Sequence, residues 1–117
     1  MTKFQIIQYK DTNLIMIKYQ IIYWRDIPAQ IKLKAGRQRA GRPLSNRFPV
    51  AIDEAAMRAG LTGSDDYLTQ WRNGDWQERD GELEEVANAL LAEVEAAYPP
   101  ERLRSLVQQH GQEKSGE

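Results

Sequence analysis

Apolar positions fall in short strand-like runs up to about residue 35 and at helical spacing after about residue 45. Residues 1–11 (MTKFQIIQYKD) and 16–26 (MIKYQIIYWRD) echo one another, with identical residues at six of eleven aligned positions. Both are rich in Ile and aromatic residues, which fit a pleated, half-buried surface, so both are expected to be strands. Asp11-Thr12-Asn13 supplies turn chemistry between them, which suggests an antiparallel hairpin. A further turn is expected at Arg25-Asp26-Ile27-Pro28. Ala29–Lys34 then alternates apolar with polar, a strand with one wet, basic face ended by Ala35-Gly36. Both copies of the echo begin with Met. The first 15 residues therefore read as a small tandem duplication, as an extended start ahead of a native start at Met16, or as chance likeness of two strands.

Gly36–Pro43 (GRQRAGRP) reads as a basic, glycine-containing loop. Ser45 or Asn46 is expected to cap a following helix, with Pro49 tolerated in the first turn. Phe48, Ile52, Ala55, Ala56 and Ala59 make its inner stripe, and Gly60 is placed to end it. Ser64 is expected to cap a second, short helix with Asp65 and Asp66 at the positive end of its dipole. Tyr67, Leu68 and Trp71 would share its buried face, and Asn73-Gly74 would stop it. Residues 76–80 fit either an edge strand or a loop. From Glu82 to Tyr98 the period is helical, with Leu83, Val86, Leu90, Val94 and Ala97 on one side. Pro99-Pro100 ends that helix and begins the next, where Leu103, Leu106 and Val107 point inward. The expected fold is α+β: an N-terminal antiparallel hairpin or three-stranded sheet, then about four helices packed on one face.

With 117 residues, the chain fits one domain by length. Residues 16–111 form the expected domain, residues 1–15 an N-terminal extension and residues 112–117 a disordered tail. There is no Cys and a single His, which removes disulfides, cysteine-based zinc sites and thiol nucleophiles. No signal-peptide core or run of about 20 apolar residues occurs, so a soluble cytoplasmic protein is expected. His110 sits at the end of the last helix, where contact with the helix carbonyls is the plainer reading than catalysis. No acidic cluster has calcium-loop spacing, and the basic loop lacks the features of a phosphate-binding loop. No metal and no cofactor is expected.

Charge changes this picture most. Residues 1–52 carry ten Lys/Arg against two Asp, a net of +8, while residues 53–117 carry six Lys/Arg against fifteen Asp/Glu, a net of −9. No acid occurs between Ile27 and Ile52. Such a split points to an electrostatic contact, with a polyanion or between surfaces of the protein itself. Arg37, Arg39 and Arg42 on the basic loop are the leading anion-contact candidates, because guanidinium forks bind phosphate or carboxylate in bidentate fashion. The competing reading is a solvated loop balancing the acidic helices. Two Trp-Arg pairs, Trp24-Arg25 and Trp71-Arg72, add residue types that recur at interaction hot spots and in base stacking. Core tryptophans followed by surface arginines are the plainer explanation of both pairs.

Tyr23–Gln30 (YWRDIPAQ), the basic loop, Leu44–Phe48, Ala51-Ile52-Asp53 with Ala56-Met57-Arg58, and Gly63 through Tyr67-Leu68 to Trp71-Arg72 resemble the virulence factor domain family, the small bacterial proteins like conserved virulence factor C. The resemblance runs from about Met16 to Arg72 and more loosely to Val107. It implies a domain that occurs alone or joined to helical HEAT-type repeats, and it brings no catalytic residues with it. The positions it marks together are Trp24, Arg25, Asp26, Arg37, Arg42, Asp53, Arg58, Tyr67, Trp71 and Arg72. Pro49 at the helix start departs from the expected pattern.

These observations favour a non-enzymatic accessory module that docks a protein partner through the basic Arg loop and a Trp-Arg rim. Trp24, Arg25, Asp26, Arg37, Arg39, Arg42, Arg58, Trp71 and Arg72 are the contact candidates. Nucleic-acid binding is the rival reading, weakened by the acidic second half. A small enzyme would need Asp26 and Asp53 to converge near Arg58. An added N-terminal strand also leaves an edge through which two copies could pair.

Overall fold

The structure is a computed structural model that describes residues 16–63 and 65–113. The strand expected over residues 1–11, its turn, the cap at Ser64 and the tail beyond residue 113 lie outside the described residues. The chain forms β1 (Ile17–Trp24), β2 (Ile27–Ala35), β3 (Gln38–Pro43), α1 (Arg47–Arg58), α2 (Asp65–Thr69), β4 (Trp71–Asn73), β5 (Gln77–Arg79), α3 (Leu83–Ala97) and α4 (Pro100–Gln108). It is an α+β fold, with one antiparallel sheet in the order β3-β2-β1, and β4 and β5 sharing the far edge of β1.

β1 and β2 form because Ile, Tyr and Leu recur at alternate positions. Tyr19 lies opposite Leu33 and Ile21 opposite Ile31, so one face of the hairpin is apolar. Gln20 lies opposite Lys32 and Lys18 opposite Lys34, so the other face is largely polar. The register shifts between Ile22 and Tyr23, which leaves Ala29 without a partner on β1. Pro28, with no N–H to give the ladder, sits beside this bulge.

The expected loop over Gly36–Pro43 is corrected to a second hairpin. Ala35 pairs with Gln38, leaving a two-residue turn with Gly36 at φ +61. Glycine at the first central position gives a turn whose twist suits antiparallel strands. β3 is an edge strand, which is why Gly41 and Pro43 are tolerated in it. The short helix is corrected too. It ends at Thr69, and Trp71 belongs to β4, opposite Trp24. Residues 77–79 resolve as an edge strand opposite Ile17–Tyr19. Between β4 and β5, Gly74 donates its N–H to Ile21 O at 2.8 Å. A Cβ there would lie 2.9 Å from that same oxygen, so only glycine allows the approach.

The helical stripes largely follow the expected periods. Phe48, Ile52, Ala55 and Ala56 of α1, Val86, Leu90 and Val94 of α3, and Leu103, Leu106 and Val107 of α4 are buried in one core with Trp24, Ile31 and Leu33. Ala97 is exposed, a correction at the end of the α3 stripe, where the helix leaves the core. α1 and α3 both pack on β2, and α4 packs on α1. Pro49 is the third residue of α1, where its missing N–H has no intrahelical acceptor to lose. Neither Ser45 nor Asn46 caps α1 with its side chain. Ser45 instead gives its N–H and hydroxyl to Glu95, at 2.6 and 2.8 Å, tying the start of α1 to α3.

Candidate docking site

The β1–β2 turn is the most cross-linked part of the described surface. Arg25 occupies the left-handed region at φ +51, unusual for a residue with a side chain. Its backbone N–H reaches Gln70 O at 3.0 Å, its Nε reaches Gln70 Oε1 at 3.0 Å, and its terminal nitrogen reaches His110 O at 3.0 Å. Asp26 receives Arg72 on one carboxylate oxygen at 3.0 Å and the Glu113 N–H on the other at 2.7 Å. Arg72 also donates Nε to Arg25 O at 2.8 Å and lies 4.3 Å from the Tyr23 ring centre. Arg25, Asp26 and Arg72 thus bind the turn to β4 and to the segment after α4, at His110 and Glu113.

Trp24 is fully buried beneath this turn. Its Nε1 donates to Tyr67 O at 3.0 Å, its ring lies 5.6 Å from that of Tyr67, and Gly111 presses against its other edge. Trp24 therefore supports a surface from below and touches no partner itself. Trp71 stands edge-on to Tyr67, with ring centres 6.3 Å apart, and keeps 37% of its surface exposed.

The candidates of the basic segment separate as well. Arg42 projects to the helix side and pairs with Glu84 of α3. The side chains of Arg37, Arg39 and Arg58 make no hydrogen bond or ion pair among the described residues. Antiparallel pairing sets the β2–β3 turn, with Arg37, at the opposite end of the sheet from Trp24 and Trp71. Trp24 is six positions along β1 from Lys18, which lies opposite Lys34, and that is about 20 Å. The expected single surface of Arg loop and Trp-Arg rim is therefore two surfaces. The carboxylate–arginine constellation does not assemble either: Asp26 is taken by Arg72, while Asp53 and Arg58 are exposed and five residues apart on α1.

A feature the candidate set largely missed lies beside Trp71. A groove of about 350 Å³ runs between the sheet end and α1, lined by Pro43, Pro49, Ile52, Asp53, Tyr67 and Trp71. A second depression of similar volume shares Asp53 and Tyr67 and continues to Met57 and Gly63. The two adjoining depressions are mainly apolar, and Met57 in the second is exposed. Asp53 and Tyr67 stand among the positions marked by family resemblance; the two prolines carry no chemistry that would single them out in a sequence.

Shifted acidities lie elsewhere. Glu93 is held below the usual carboxylate range by its hydrogen bonds from Arg79, and Arg79 is raised in return. Burial pushes the Tyr98 hydroxyl up. Among the described residues, no group of three or more His, Asp or Glu could hold a metal, and no helix is long and apolar enough to cross a membrane.

A family described as "Virulence factor" matches residues 22–107, which include both turns, the groove, the first three helices and all but the last residue of α4. The chain belongs to the virulence factor family. It is 36% identical over 93 residues to "Conserved virulence factor C" of Staphylococcus haemolyticus (strain JCSC1435), covering 79% of this chain and 24% of that protein. It is 31% identical over 97 residues to "Conserved virulence factor C" of Staphylococcus aureus (strain bovine RF122 / ET3-1), covering 83% of this chain and 25% of that protein. The chain thus spans about a quarter of the length of these curated relatives. No solved structure matches it.

Proposed function

We propose that this chain is a non-enzymatic accessory module, working in the cytoplasm, that docks a protein partner along the groove from Pro43 to Gly63. Trp71 is its anchor. The observation that carries this reading is an exposed tryptophan that lines one apolar depression and stands against Tyr67, which this depression shares with a second. Buried aromatic anchors in such pockets dominate the energetics of protein interfaces.

Arg25, Asp26 and Arg72 then hold the platform rigid from behind, which reduces the ordering cost of binding. Trp71→Ala should remove about 2 kcal/mol of affinity, close to thirtyfold, in a protein that stays folded at the assay temperature. The comparison is made on tagged protein purified from its native host. A protein retained by the wild type and by the Arg37→Glu/Arg39→Glu variant, but lost from Trp71→Ala, is the expected outcome. An identical set of bound proteins for all three overturns the groove as the docking site.

A further inference from the structure

The face of the sheet turned away from the helices carries a row of cations. Cross-strand register sets Lys18 opposite Lys34 and Lys34 opposite Arg39, and directly opposed residues project from the same face. Lys32 lies two positions from Lys34 on that face, and Arg37 lies in the adjoining turn. Lys18, Lys32, Arg37 and Arg39 are exposed and make no side-chain hydrogen bond or ion pair among the described residues. Like charges directly opposed destabilise a sheet. The row therefore works against folding; among the described residues Glu78 lies opposite Lys18 without an ion pair to it, and the ring of Trp76 is the contact made by Lys34.

Trp76 completes the arrangement. Its ring centre lies 4.3 Å from Lys34 Nζ, so the ring reaches over β1 toward β2, yet 45% of its surface stays exposed. The acidic helix is on the far side. Glu84 pairs with Arg42, Glu93 with Arg79 and Glu95 with Arg47, all on the side where α3 packs. Five cations of the basic half, Lys18, Lys32, Lys34, Arg37 and Arg39, thus belong to the open face or its turn, and the ion-paired glutamates of α3 do not confront an anion there.

We propose that this open face binds single-stranded nucleic acid, with phosphates along the Lys18–Lys34–Arg39 row and a base stacked on the exposed part of Trp76. An acidic polypeptide would use the cations and leave the ring idle, whereas a single strand uses both. A duplex keeps its bases stacked inside and offers none to Trp76. The site lies at the opposite end of the sheet from the Trp71 groove and does not depend on it.

Fluorescence anisotropy of labelled oligouridylate and oligothymidylate tests this. Binding at low salt is expected, with a log–log salt slope of about −2 to −3, as for three or four phosphates on a single strand. Lys34→Glu/Arg39→Glu should weaken binding more than tenfold, and Trp76→Ala about tenfold. Arg58→Glu on α1 and Trp71→Ala should bind as the wild type does. Circular dichroism melting confirms that each variant is folded. Absence of binding to either oligomer at low salt overturns the proposal. So does full affinity in the folded Trp76→Ala variant, or displacement by poly-glutamate as effective as by unlabelled oligonucleotide.

Discussion

The two hairpin turns of the sheet have similar local chemistry and opposite fates. Each is two residues long, each holds one residue at positive φ, and each contains an arginine: Arg25-Asp26 between β1 and β2, Gly36-Arg37 between β2 and β3. Around the first, Gln70, Arg72, His110 and Glu113 arrive from distant parts of the chain and satisfy the charges. Around the second, Arg37 meets nothing among the described residues. What separates a structural arginine from an available one is therefore which later segments pack there. α2, β4 and the end of α4 close on the first turn, and none of them reaches the second.

The comparison breaks most sharply if both arginines are removed in turn. Arg25→Ala should cost on the order of 1–2 kcal/mol, since it loses two charge-assisted hydrogen bonds that are partly exposed. Arg37→Ala should change stability by less than about 0.5 kcal/mol. Thermal unfolding would show the first as a drop of roughly 5–10 °C and the second as no resolved shift. Arg25→Gly sharpens the point. Glycine accepts φ +51 without steric cost, so this variant should regain about 1 kcal/mol relative to Arg25→Ala. Equal melting temperatures for Arg25→Ala and Arg37→Ala would show that the bonds at the first turn contribute nothing.

Much of the framework was legible in the sequence. β1 and β2 announce themselves through Ile and aromatic content and through alternation, and α1, α3 and α4 through helical period and proline placement. β3 escaped because Gln38–Pro43 has no β-branched residue, and its pairing partner, not its own composition, makes it a strand. β4 and β5 are three residues each, too short for any period to register. Tyr67, Leu68 and Trp71 have helical spacing, but the antiparallel partnership of Trp71 with Trp24 prevails over it. Leu68 consequently faces solvent. For the candidate site, residue types were informative and grouping was not. Trp24 and Arg37 are 13 positions apart in sequence and sit at opposite ends of a hairpin. Only the register reveals that Lys18, Lys34 and Arg39 align, or that Arg42, three residues from Arg39, faces the other way.

The opposed cations at the free end give a smaller test, of the reverse sign. Lys34→Gln removes the middle charge of the row while keeping most of the side chain's length. It should stabilise the sheet by a few tenths to about 1 kcal/mol at low salt, the usual range for a cross-strand charge conflict. Raising the salt should shrink the gain by screening. The loss of the Lys34 contact with Trp76 works against it, at about 0.5–1 kcal/mol for an exposed cation–π pair. Substituting Trp76→Ala in the Lys34→Gln background, beside Trp76→Ala alone, separates the two terms. A Lys34→Gln/Trp76→Ala protein that melts below Trp76→Ala alone would show that the row does not strain the fold.

The smallest expected effect concerns a charge pair that belongs to neither turn. Arg79 on β5 holds both carboxylate oxygens of Glu93 at 2.8 Å, and these hydrogen bonds lower the pKa of Glu93 from its ordinary value. A carboxyl group whose pKa is depressed by folding contributes stability above its unfolded pKa and loses that contribution as the pH falls through its folded value. The wild type should therefore melt slightly above Glu93→Gln at neutral pH, and the two should converge once the pH passes below the normal glutamate range of about 4.3. Glu93 is exposed, so salt should reduce the difference at neutral pH as acid does. A melting difference that persists unchanged in strong acid would assign the effect of Glu93→Gln to packing against the sheet edge instead of to its charge.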